Sequence, residues 1–266
     1  MSTTTRYAAL AATLTVLLAG CGEDTTSSSA SNASPTLSSS TPAGASPPPS
    51  PVGLPSEIPT PHLDPDDFVA GIDNPYLPMV PGTRWVYESL SPDGDERIVV
   101  TVTDRTKTVD GVPAVVVHDR ATTPAGKLLE DTYDWYAQDT AGNVWYLGED
   151  TTAFEDGKKS KEGSWEAGVD GAMAGVALPA DPQVGDRYAQ EYYEGEAEDE
   201  GEILALDATA KVPFGSYADL VKTKDTTPLE PGLVEHKYYA RGVGVVQEET
   251  VKGGVEHVRL LEMTTP

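Results

Sequence analysis

The 266 residues are 38% hydrophobic and 7% aromatic, and 18 Lys+Arg set against 43 Asp+Glu give a formal charge of −25. A surface so negative repels phosphate backbones, which argues against nucleic acid as a partner. The single cysteine excludes an internal disulfide and a multi-thiolate zinc site.

Residues 1–20 read as a secretory signal: a polar start with one positive charge at Arg6, an apolar run from Tyr7 to Leu18, then Leu18-Ala19-Gly20-Cys21. About a dozen apolar residues cannot span a hydrocarbon core that needs roughly twenty. The tetrapeptide resembles the lipobox of bacterial lipoproteins. That resemblance implies that a diacylglyceryl group is attached to the Cys21 thiol, that the chain is cut before Cys21, and that the new amino group takes a further acyl chain such as palmitate. Two or more chains, at about 0.8 kcal/mol per buried methylene, hold a protein stably where one does not. The expected location is the extracytoplasmic face of the cell membrane, with lipidated Cys21 as the anchor.

Residues 21–61 begin with that cysteine and continue as a stalk. Positions 22–61 contain 11 Ser, 5 Thr and 9 Pro and almost no large apolar side chain, so nothing there offsets the entropy of ordering the backbone. A flexible chain of this length spans about 35 Å, and its Ser/Thr/Pro composition also suits O-glycosylation.

Residues 62–266 are the segment able to bury a core. Apolar residues recur there with period two, as at Ile98, Val100 and Val102, in runs closed by turn residues such as Pro92-Asp93-Gly94, Asp110-Gly111, Asp156-Gly157 and Gly253-Gly254. The pattern predicts about eleven strands: 83–90, 96–106, 113–121, 127–138, 143–149, 158–162, 187–194, 201–212, 216–225, 233–240 and 243–263, the last broken at Gly253-Gly254. Only 64–70 suggests a short helical piece. The predicted fold class is mainly β: a single antiparallel meander that curls into a half-barrel or open barrel to bury its edges, with a two-sheet sandwich as the alternative. The connection 163–186, with five glycines and the small apolar run from Ala172 to Leu178, reads as a lid or binding loop.

The segments NPYLPMVPGTRWVYE (74–88), EDTYDWYAQDTAGNVWYLGEDT (130–151), GSWEAGVDGAMAG (163–175) and EHKYYARGVGVV (235–246) resemble a family of secreted bacterial proteins, many of them actinobacterial lipoproteins, to which no activity is assigned. The plan of a lipid-tethered antiparallel sheet is also similar to that of envelope lipoproteins holding lipids in a half-barrel. This second likeness is one of architecture.

Catalytic motifs do not appear. There is no Gly-x-Ser-x-Gly, and His62, His118, His236 and His257 are scattered without metal-ligand spacing. The reading is therefore of a non-enzyme with no cofactor and no metal-ligand set. The acids between Glu191 and Glu202 read as a solvated hairpin end, with a weak calcium site as the alternative. Trp85, Tyr133, Trp135, Trp145, Met173 and Tyr239 are the candidate pocket residues. Alternation on 127–138 puts Asp131 on the same face as Tyr133 and Trp135. These rings serve either a packed core or the wall of a cavity. Two functions follow: a non-catalytic module that binds an apolar or amphipathic envelope ligand, or a structural or interaction protein with an acidic, divalent-ion-binding surface. A cavity above about 300 Å³ favours the first.

Overall fold

The computed structural model describes residues 63–155 and 157–266. The expected signal peptide, Cys21, the stalk, His62 and Asp156 lie outside them.

Sixteen strands make up almost all of the regular structure among the described residues. The first part of the chain supplies β1 (Phe68–Val69), β2 (Arg84–Leu90), β3 (Glu96–Val109), β4 (Val112–Thr122), β5 (Leu128–Asp139), β6 (Val144–Glu155), β7 (Lys158–Ser160), β8 (Trp165–Glu166) and β9 (Met173–Leu178). The second supplies β10 (Arg187–Ala189), β11 (Glu191–Tyr192), β12 (Glu200–Val212), β13 (Gly215–Thr226), β14 (Val234–Ala240), β15 (Gly244–Lys252) and β16 (His257–Thr264). The expected helical piece is one 3₁₀ turn, Pro65–Asp67, capped by the Asp64 side chain, which accepts from Asp66 N–H.

Turn chemistry explains the sharpest reversals. Asp110 and Gly111 both adopt positive φ, 45° and 83°, and Val109 pairs directly with Val112. This is the primed two-residue turn whose twist matches the flanking strands.

The strands follow one another in the order β10-β12-β13-β14-β15-β16-β2-β3-β4-β5-β6-β9-β11. Two meanders, β2–β6 and β12–β16, are thus joined edge to edge where β16 pairs antiparallel with β2. On the other side the ring almost closes. Arg187–Ala189 pair with β12, and two residues further on Glu191–Tyr192 pair with β9. One short segment therefore bridges the two ends of the sheet and leaves a single seam. The fold is a nearly closed antiparallel barrel, as the period-two pattern predicts.

The expected loop 163–186 is a point of correction, because it contains β8 and β9, both paired with β6. Ala174 to Leu178 are all buried, so small side chains pack on both faces and no alternation is visible. Two close approaches fix this region. A Cβ on Gly175 would lie 2.2 Å from the Gln190 carbonyl carbon, and one on Gly148 would lie 2.3 Å from the Trp165 carbonyl oxygen. Only glycine lets these backbones meet. The predicted strand 187–194 is likewise divided, since its two halves pair with opposite ends of the sheet.

Candidate functional site in the barrel interior

A pocket inside the barrel draws its wall from both meanders. Leu77, Met79, Trp85, Tyr87, Val100 and Val117 come from one side, Tyr136 and Ala177 from β5 and β9, and Tyr239 and Val245 from the other. Asp119, Asp134 and Lys237 add a polar floor. Its volume is about 70 Å³, well short of the size of about 300 Å³ set above as the mark of an enclosed ligand cavity. Hydrogen bonds hold the wall in place: Trp85 Nε1 donates to Val243 O at 2.7 Å, and Tyr87 hydroxyl to Val245 O at 2.9 Å.

The loop 70–83 crosses this end of the barrel as a strap. At one side the Asp73 and Asn74 N–H groups donate to Gln138 Oε1 at 2.9 and 2.8 Å, and Asn74 Nδ2 donates to Gly142 O at 3.0 Å. At the other the Gly242 N–H donates to Pro75 O at 2.7 Å. The β5–β6 and β14–β15 turns lie far apart in the strand order, so the strap carries Leu77 and Met79 over the interior.

Of the six residues singled out from sequence, Trp85 and Tyr239 line this pocket. The structure does not bring the other four to it. Trp135 faces an open cleft of about 370 Å³, with Lys107 Nζ 3.1 Å from its ring centroid. Tyr133 stacks on His118 at 4.4 Å. Trp145 donates to Asp139 Oδ2 at 2.9 Å and meets Phe68 edge to face. Met173 is half-buried on β9 opposite Tyr192. Asp131 stays with Tyr133 on the outer face, where it bonds His118 Nε2 at 2.7 Å. The inward face of β5 is the other one, Glu130, Thr132, Asp134 and Tyr136, all buried.

The floor belongs to a larger buried polar network. Tyr146 hydroxyl lies 2.8 Å from Asp134 Oδ1 and 2.7 Å from Glu149 Oε2. A phenol has one proton to donate, so the second contact needs a proton on the carboxyl. Burial, with Asp119 adding repulsion, holds Asp134 well above the usual carboxylate range. Lys237 lies 3.0 Å from Asp225 Oδ2 and 3.9 Å from Glu248 Oε2. Burial works against its charge, yet Asp225 and Glu248 overcome that and hold its pKa well above the ordinary value. Among the described residues no group of three or more His, Cys, Asp or Glu side chains is arranged to hold a metal ion, and no helix is long and apolar enough to cross a membrane.

The chain matches no family model and no curated protein. Two solved structures are similar to it. One is a Bacteroides fragilis protein with a YmcC-like fold, provisionally described as exported: 16% identical, TM-score 0.43, covering 71% of this chain and 99% of that one. The other, from Parabacteroides distasonis, is provisionally described as a lipoprotein: 13% identical, TM-score 0.35, covering 71% of this chain and 98% of that one.

Sequence reasoning missed Asp119, Asp134 and Lys237. Their signal was positional, each being a charged residue inside a strand run, and such residues normally mark the solvent face.

Proposed function

We propose that the protein is a membrane-tethered extracytoplasmic binding module, and that the inner pocket receives one end of an apolar or amphipathic ligand. The observation that carries this reading is the pocket itself: apolar walls from both halves of the barrel, a polar floor, and a strap across the same end. Its size suits a terminal group, with the remainder of the ligand extending past Leu77 and Met79. The tether rests on the signal and on the lipobox-like residues 18–21. Cys21→Ala is expected to abolish acyl labelling and to move the protein out of the membrane fraction; unchanged acyl incorporation would remove the anchor from the proposal.

An environment-sensitive fluorescent fatty acid tests the pocket. Saturable binding is expected, with Trp85→Ala weakening it at least fivefold through lost wall contacts. Trp145→Ala, at a residue outside the pocket, should leave binding within twofold of the parent. A folded protein that shows no saturable binding to acyl probes of any length supports instead the structural or interaction role.

A further inference from the structure

The inner pocket is apolar at one end and polar at the other. Leu77 and Met79, carried by the strap, cap its outer end, whereas Asp119, Asp134 and Lys237 form its floor. The strap is held at Gln138 on β5 and at Gly242 just beyond β14, and Asp134 and Lys237 lie further into the barrel along those same two strands. A hydrocarbon end pushed down to this floor would shut charged and polar groups away without partners. A polar end would not. The space is small: at about 10–15 Å³ for each water-sized group, about 70 Å³ takes roughly five of them.

Lys237 decides what that polar end is. Its Nζ is 3.0 Å from Asp225 Oδ2 and 3.9 Å from Glu248 Oε2, yet both oxygens of Asp225 and Oε2 of Glu248 are buried without a hydrogen-bond partner. The opposite charges are in contact, but the ammonium N–H groups are not aligned on them. The Tyr188 hydroxyl, on a ring that packs in one cluster with Tyr239 and Val245 of the pocket wall, is likewise buried without a hydrogen-bond partner. Buried polar groups in this state call for a partner that both donates and accepts.

A hydroxyl does both with one oxygen: it accepts from the ammonium and donates to a neighbouring carboxyl. A carboxylate head would add one more acceptor beside Asp119 and Asp134, with Asp225 and Glu248 close behind. An ammonium head would sit against Lys237, the one cation among the residues that line the pocket. We propose, resting on the reading of this pocket as a ligand site, that it admits a single-chain amphiphile head first, and that the buried head is uncharged, bears one or two hydroxyls, and is bound by Lys237 Nζ with Asp119 and Asp134 facing it. The chain then leaves past Leu77 and Met79.

Three probes with the same chain and different heads test this: 1,2-decanediol, decanoate and decylammonium. Each is titrated below its micellar range into the purified protein, in enough sodium chloride to screen the surface charge, and followed by calorimetry. The diol is expected to bind at least tenfold more tightly than either ion. Trp85→Ala should weaken the diol at least fivefold through lost wall contacts, and the double variant Lys237→Met with Asp225→Asn should reduce the diol's advantage to less than threefold. The ranking of the three heads on the parent protein decides the matter even where a variant fails to fold. Equal affinities, all weakened by Trp85→Ala, would leave the pocket a ligand site and overturn the head-first proposal, because the chain then enters tail first. Decanoate binding most tightly would overturn it by making Lys237 an anion site, and diol binding untouched by Trp85→Ala would overturn it by placing the diol elsewhere. Saturable binding of none of the three would remove the ligand site and the proposal together.

Discussion

The β domain is expected to be most stable in mild acid and to lose stability steadily as the pH rises from about 4 toward 8. Burial raises the carboxyls of Asp134, Glu191 and Glu248 well above their ordinary range, and brings Glu96 to about 7 and Asp199 to about 8. In the unfolded chain these groups ionise near pH 4. Between that value and the raised one the folded state binds more protons than the unfolded state, so each such group removes about 1.4 kcal/mol of stability per pH unit. Their contribution is complete below the unfolded value and is lost by the time the folded value is passed. The net charge of −25 acts in the same direction, but repulsion between surface charges is screened by salt. Urea midpoints at pH 4.5, 6, 7.5 and 9, each with and without 0.5 M sodium chloride, separate the two. The slope that survives in salt belongs to the interior, and Glu191→Gln should flatten it. A midpoint that climbs with pH would mean that the interior carboxyls are ionised and well paired.

The fold was legible where the physics of one strand is local. Ile98 and Val102 on β3, the Asp110-Gly111 turn and the break at Gly253-Gly254 state strand, reversal and interruption within a few residues. β9 was not legible, because small residues buried on both faces carry no alternation, and neither was the split of 187–192 between two partners, which depends on where the sheet ends meet. The site was legible only in its rings. On β5, period two correctly separates two faces, but hydrophobicity selects the wrong one: Leu129, Tyr133 and Trp135 outweigh Glu130, Thr132 and Asp134. A buried carboxyl and a solvated one have the same letter, and only closure of the barrel distinguishes them.

That closure makes Lys237 the residue whose loss is expected to cost most. Its side chain and that of Asp225 are each 6% exposed, 3.0 Å apart, with Glu248 Oε2 at 3.9 Å. Lys237→Met keeps the length of the aliphatic stem and removes the cation, leaving Asp225 and Glu248 buried without it. Breaking a buried pair from one side costs about 3–5 kcal/mol, because the charge left behind must be neutralised or hydrated. The loss should be larger at pH 8 than at pH 5, because neutralising a stranded buried charge costs more as the pH rises. Replacing both partners tests the origin of the effect. Lys237→Met with Asp225→Asn removes the stranded charge along with the pair, and the double variant is expected to recover a good part of what the single one loses. Urea unfolding of the parent, the two single variants and the double variant at pH 5 and pH 8 closes that cycle. A single-variant loss below about 1 kcal/mol at both pH values would place the pair with exposed ion pairs in energetic terms, and would show that water reaches the floor of the barrel.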